Sequence, residues 1–85
     1  MTGTEQVIDQ LKDILVEDGY WLSPKAELDV DLALVEEHII DSLGLMRLVN
    51  RIEEDFDIEV RDEDVVLSNF GSITKLAAFI GSRQT

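Results

Sequence analysis

The chain has 85 residues, no cysteine, and a formal net charge of −12 from 19 Asp and Glu against seven Lys and Arg. That length is one small domain, 1–85, with a modest core, and the missing thiol excludes disulfides, Cys-based zinc sites and cysteine nucleophiles. So acidic a surface repels nucleic-acid backbones and anionic membranes; no apolar run is long enough to span a bilayer and no signal-peptide pattern opens the chain, so a cytoplasmic protein is expected.

The first predicted helix covers about Thr4–Asp18. Val7, Ile8, Leu11, Ile14 and Leu15 recur at steps of three and four, which marks one buried helical face. Thr4 or Thr2 is available as its cap, and Gly19 suits its end. Tyr20-Trp21-Leu22 forms an apolar cluster expected to pack as core filler or across a bundle end. Residues 23–41 form a long connection, broken from helix by Ser23-Pro24. Leu28, Val30, Leu32, Leu34, Val35 and Ile39 are expected to pin it to the helices. A connection this long in a small domain is expected to hold a short helix or to serve function.

The second predicted helix runs from about Leu43 to Asp55, with Ser42 as its N-cap. Leu45, Leu48, Val49, Ile52 and Phe56 fall in one narrow sector and form its core stripe. Leu43 and Met46 sit about 100–160° away on the wheel, on the side of Asn50 and Glu53. Two apolar side chains therefore project from a mostly polar face beside the serine, either to meet the preceding loop or to dock a partner. Asp57-Ile58-Glu59-Val60 reads as an extended link with its apolar residues inward. Asp62–Leu67 reads as a short third helix with acids near its N-terminus. The last helix covers about Ile73–Arg83, capped by Ser72, with Ile73, Leu76, Ala77 and Ile80 as its stripe and Phe70 placed as a staple. The predicted fold is all-α: a small bundle of three main helices plus one short helix, with a long loop between the first two.

The acids are unevenly spread. Residues 1–40 hold ten acids against two bases, residues 41–64 hold nine against three, and residues 65–85 hold two bases and no acid. Such a surface attracts partners with basic patches, or simply keeps the chain soluble. A hydrolytic triad of His38, Ser42 and Asp41 or Asp31 can be drawn on paper, but no G-x-S-x-G elbow surrounds the serine. We assign no catalytic residue and expect no enzyme activity of the chain itself. Asp29 and Asp31 resemble the start of a calcium loop, yet Leu34 stands where glycine is needed and Ile40 where glutamate is needed. No metal site is assigned.

Ser42 remains. A hydroxyl at a helix N-terminus is accessible, and a phosphate attached to it meets the positive end of the helix. Asp41 opposes that charge, so it is expected to serve another task, such as metal contact during modification. The alternative for Ser42 is a helix cap and nothing more.

Ile40-Asp41-Ser42-Leu43, the acidic helix ending Ile52-Glu53-Glu54-Asp55-Phe56-Asp57-Ile58-Glu59-Val60, and Asp62-Glu63 together resemble the acyl carrier protein family. The order of segments agrees over nearly the whole chain. The resemblance implies that Ser42 receives 4′-phosphopantetheine from coenzyme A through a phosphopantetheinyl transferase and Mg²⁺, with Asp41 adjacent to the modification. The arm's thiol carries an acyl or aminoacyl group as a thioester. It further implies a non-catalytic monomer whose second helix meets its partners, through Leu43, Met46, Glu53 and Glu54. Those partners are an acyl- or aminoacyl-adenylating ligase and downstream acyl transferases, synthases or a thioesterase.

The chain also departs from the family. Ile39 and Ile40 stand where many members have glycine, Arg47 lies on a face that is often acidic, and Arg61 stands where proline is frequent. These departures point away from a carrier of fatty acid synthesis, and Ile40-Asp41-Ser42-Leu43-Gly44-Leu45-Met46 with Ser68-Asn69-Phe70-Gly71-Ser72-Ile73 resembles stand-alone carriers that work with a dedicated adenylating ligase in polyketide or nonribosomal-type pathways. The alternatives are a carrier of fatty acid synthesis and an unmodified acidic adaptor.

Overall fold

In the computed structural model, which describes residues 3–84, four α-helices follow one another with no strand among the described residues. They are α1 (Gly3–Glu17), α2 (Ser42–Phe56), α3 (Leu67–Phe70) and α4 (Ile73–Arg83). Short 3-10 turns occupy Lys25–Glu27 and Asp62–Asp64. The architecture is the predicted all-α bundle, three main helices and one short one.

The core is built from the stripes that the spacing marks. Val7, Leu11, Ile14 and Leu15 of α1 meet Leu48, Val49, Ile52 and Phe56 of α2 and Ile73, Leu76, Ala77 and Ile80 of α4, all buried. Thr4 lies inside the first turn of α1 and is therefore no cap; Thr2 lies outside the described residues. The end of α1 follows the expectation closely. Gly19 takes φ 83°, its N–H donates to the Val16 carbonyl at 3.2 Å, and the Tyr20 N–H donates to the Leu15 carbonyl at 2.9 Å. This paired closure satisfies carbonyls that the helix leaves over. Tyr20 and Trp21 then pack against the core, but Leu22 is 90% exposed. The predicted three-residue cluster is thus two residues. The Trp21 indole N–H donates to the Pro24 carbonyl at 3.0 Å, which folds the turn onto Trp21 and leaves Leu22 outside.

The long connection is ordered by its own backbone. The Leu34 carbonyl accepts from both Ile39 and Ile40 N–H, at 2.9 and 3.0 Å, and the Leu34 N–H donates to the Gly71 carbonyl at 2.9 Å. Leu28, Leu34 and Ile40 are buried. The Asp29 carboxylate accepts from the Asp31 N–H, and the Asp31 carboxylate accepts from the Thr74 hydroxyl at 2.9 Å. The two aspartates thus tie the loop to α4. The segment 33–40 closes on itself and delivers residue 41 to the start of α2.

The third helix differs from expectation. The spacing predicts a helix over Asp62–Leu67; the chain instead makes a 3-10 turn at Asp62–Asp64, extends at Val66 (φ −131°, ψ 160°), and forms α3 from Leu67. Two β-branched residues in succession, Val65 and Val66, favour the extended backbone. Asp64 is the other cause. Its carboxylate accepts from the Arg61 N–H at 3.0 Å and from the Arg83 guanidinium at 2.6 Å, so the turn is closed by a side chain rather than continued. Phe70 is buried in the core cluster and packs on Phe79, outside the predicted stripe, with ring centroids 5.6 Å apart. Arg83 lies 4.9 Å over the Phe79 ring, adding a cation–π contact.

The Arg61 N–H and the charge of Arg83 hold the Asp64 carboxyl below its ordinary value of 3.8. A lowered folded value means that this group stabilises the fold above its unfolded value and ceases to do so as pH falls through the folded one. Acid titration of unfolding is therefore expected to show a loss beginning below about pH 4, and Asp64→Asn is expected to flatten that limb. An unchanged acid limb in Asp64→Asn would contradict the assignment.

Candidate functional site at the start of α2

The first turn of α2 is set by Asp41. Its backbone is extended (φ −92°, ψ −177°), its carboxylate accepts from the Gly44 N–H at 2.7 Å, and its carbonyl accepts from the Leu45 N–H at 2.8 Å. Asp41 is thus the N-cap, and Ser42, predicted as the cap, is the first residue inside the helix. Aspartate and serine cap about equally well as hydrogen-bond acceptors, but the carboxylate also carries a full negative charge to the positive end of the helix. The electrostatic objection to Asp41 beside a phosphate is met in part by this geometry. One of its oxygens is engaged by the Gly44 N–H.

The hydroxyl of Ser42 is consequently relieved of capping, and the residue is exposed. Four N–H groups at a helix start lack partners within the helix. Asp41 satisfies that of Gly44; those of Ser42 and Leu43 lie at the positive end, beside the hydroxyl. The residues present therefore fit a phosphodiester on Ser42: an accessible oxygen, neighbouring backbone donors and a favourable dipole.

Gly44 and Tyr20 belong to the same site, although the sequence places Tyr20 only in an apolar cluster and assigns Gly44 no role. Gly44 is buried. A Cβ there would lie 2.9 Å from Tyr20 Cε1, 3.0 Å from Asp41 Oδ1 and 3.3 Å from Ile40 Cγ2. The Tyr20 hydroxyl donates to the Gly44 carbonyl at 3.2 Å. The available signal was a glycine in the first turn of a helix, which implies a close approach by something else.

Leu43 and Met46 are 61% and 56% exposed. The preceding loop does not cover them. Met46 stands one turn beyond Ser42 on the same face. Glu54 is exposed, as is Arg47. Glu53 is half-buried, and its carboxylate accepts from the Val60 N–H at 2.9 Å. It thereby fastens the link after α2 and is only partly available to a partner. Arg51 reaches across to α1, pairing with Glu17 and Asp18 at 2.8 and 2.7 Å and with Asp55 at 2.8 Å. These acids, first Glu17 and Asp55, raise its already high pKa. Val66 and Leu67, at 46% and 50% exposure, add an apolar pair at the start of α3 that a helix over Asp62–Leu67 did not anticipate.

The paper triad does not assemble. His38 occupies a left-handed turn (φ 59°) and is exposed, and Asp31 is committed to Thr74. No hydrogen bond among the described residues joins His38 to Ser42, Asp41 or Asp31.

Comparison with known proteins bears on this turn. Residues 9–80 match the family model described as a phosphopantetheine attachment site. The chain is 29% identical over 84 residues to an acyl carrier protein of Renibacterium salmoninarum, covering 99% of each chain. An acyl carrier protein of Arthrobacter sp. (strain FB24) is similar to the same degree, 29% over 84 residues with 99% of each covered. One of Cyanophora paradoxa is 42% identical over 45 residues, which is 53% of this chain and 44% of that relative.

Proposed function

The chain belongs to the acyl carrier protein family, and from that premise we propose that Ser42 is the residue to which 4′-phosphopantetheine is attached. The observation that carries this reading is the division of labour at the start of α2. Asp41 caps the helix, so the neighbouring serine hydroxyl stays exposed and uncommitted. When bound, the group supplies a thiol that holds an acyl or aminoacyl cargo as a thioester. The chain's own residues present the attachment point, keep the first turn intact and offer a docking face. Asp41 has a second task in this reading, beside the modifying enzyme's Mg²⁺.

The whole of 1–85 acts as a single, non-catalytic, cytoplasmic carrier domain, monomeric in solution. No helix among the described residues is long and apolar enough to cross a membrane. Its partners are a phosphopantetheinyl transferase, an adenylating ligase that loads it, and acyl transferases, synthases or a thioesterase that unload it. Leu43 and Met46 supply the apolar contact, and Glu54, with the outer part of Glu53, supplies charge. Ile39, Ile40, Arg47 and Arg61 favour a discrete carrier of polyketide or nonribosomal-type synthesis over one of fatty acid synthesis. The test is to convert the chain with coenzyme A and a broad-specificity transferase, then offer it ATP, an acid and an adenylating ligase. A hydroxylamine-labile adduct is expected; a modified chain that no adenylating ligase loads would contradict the ligase-dependent reading.

Glu54→Lys is expected to slow loading by a partner with a basic patch by about threefold to tenfold at low ionic strength, less at high salt, without loss of stability. Glu53 is unsuited to this test because its charge also holds Val60. Equal loading rates for Glu54→Lys and wild type at low salt would show that another face is used.

A further inference from the structure

We propose that Tyr20 is a positioning residue for the modification of Ser42: the end of α1, acting through this side chain, holds the turn of α2 that presents the hydroxyl. The inference rests on Ser42 being the attachment residue.

Three contacts converge on the Gly44 peptide, two residues from the serine. Its N–H is held by Asp41 at 2.7 Å, its carbonyl by the Tyr20 hydroxyl at 3.2 Å, and the Tyr20 ring edge lies 2.9 Å from where a Cβ would stand. Tyr20 is itself anchored, because its N–H donates to the carbonyl of Leu15 at 2.9 Å and Leu15 is 1% exposed. The tyrosine therefore links the buried end of α1 to the attachment turn, across 24 residues of chain. Core filler needs no hydroxyl aimed at a backbone carbonyl, and Tyr20 is only half-buried.

Such a support matters at this place. Helix ends fray, and local opening there costs far less than global unfolding. In the transfer, Oγ of Ser42 bonds to the phosphorus that carries pantetheine. The pyrophosphate bond to adenosine bisphosphate breaks, and the serine proton passes to a base of the transferase. The rate of that step depends on how steadily the oxygen is held. Gly44 is the complement of Tyr20, since a side chain at residue 44 would push the ring or the Asp41 carboxylate away.

The experiment measures transfer from coenzyme A by a broad-specificity transferase, varying the concentration of the carrier. Tyr20→Phe keeps the ring and loses the bond; Tyr20→Leu loses both. Ile73→Val in α4 serves as a control for lowered stability. The expected result is a kcat lower by about threefold in Tyr20→Phe and about tenfold in Tyr20→Leu, with KM for the carrier unchanged. Amide exchange at Gly44 and Leu45 should quicken in both Tyr20 variants while the rest of α2 stays protected, and Ile73→Val should keep the wild-type kcat. Unchanged kcat in both tyrosine variants, an equal loss in Ile73→Val, or a change in KM alone would overturn the proposal. A wild-type chain that accepts no pantetheine would instead remove the attachment reading on which it stands.

Discussion

Leu48→Ala is expected to lower the free energy of unfolding by about 2–5 kcal/mol, whereas Leu43→Ala is expected to change it by no more than about 0.5 kcal/mol. The two leucines lie on one helix, five residues apart. Leu48 is fully buried among the stripes of all three main helices, at 0% exposure, and Leu43 is 61% exposed. Truncating Leu48 removes its transfer free energy and leaves a cavity that close-packed neighbours fill only in part. Truncating Leu43 removes a group already in water. Urea titration measures both. For a domain of this size the first loss is a large share of the total stability. The pair tests the functional argument as well as the core, because α2 can dock a partner through one face only if that face carries little of the fold. A cost above about 2 kcal/mol for Leu43→Ala would place it in the core and remove it from the proposed docking surface.

Gly71→Ala is expected to cost about 1–3 kcal/mol, the usual range for an atom forced into filled space. A Cβ at residue 71 would lie 2.5 Å from the Leu67 carbonyl oxygen, a backbone atom that no rotamer change can move. The same peptide makes two bonds: its N–H donates to that carbonyl at 2.8 Å, and its own carbonyl accepts from the Leu34 N–H at 2.9 Å. The glycine thus ties α3 to the loop that delivers Asp41. Its φ is −73°, an angle any residue adopts, so crowding rather than backbone strain sets the cost. Denaturant midpoints check the magnitude, and faster amide exchange at Leu34 checks the route. A Gly71→Ala chain as stable as wild type would show that α3 shifts freely.

The three main helices were legible because their apolar spacing is long and regular. Val7 to Leu15, Leu48 to Phe56 and Ile73 to Ile80 each commit one face, and periodicity reports this directly. The Gly19 ending and the Ser72 cap were legible because each rests on a single residue with few alternatives; the Ser72 hydroxyl oxygen accepts from the Lys75 N–H as expected. What failed depended on contacts distant in sequence or on competition between neighbours. Asp41 and Ser42 are both good caps, and nothing local decides which is used. The Asp62–Leu67 helix gives way to the extended preference of Val65-Val66 and to the bonds of Asp64 with the Arg61 N–H and with Arg83, the latter 19 residues away. The spacing assigns Phe79 to no stripe, yet it is buried, with Phe70 and Arg83 converging on it. Glu53 reads as a surface acid on the wheel, but the return of the chain at Val60 gives it a structural bond. At the candidate site, Ser42, Leu43 and Met46 were placed correctly as exposed. Gly44 and Tyr20 were missed because their relation spans the long loop.

The proposed carrier role turns on one oxygen atom. The most direct measurement is fragmentation mass spectrometry of the peptide containing residue 42, after the folded chain is incubated with coenzyme A and a competent transferase. The predicted result is a single phosphopantetheine located on Ser42 in the wild-type chain and none anywhere in Ser42→Ala. A wild-type peptide that stays unmodified, or an adduct that persists in Ser42→Ala, would contradict it.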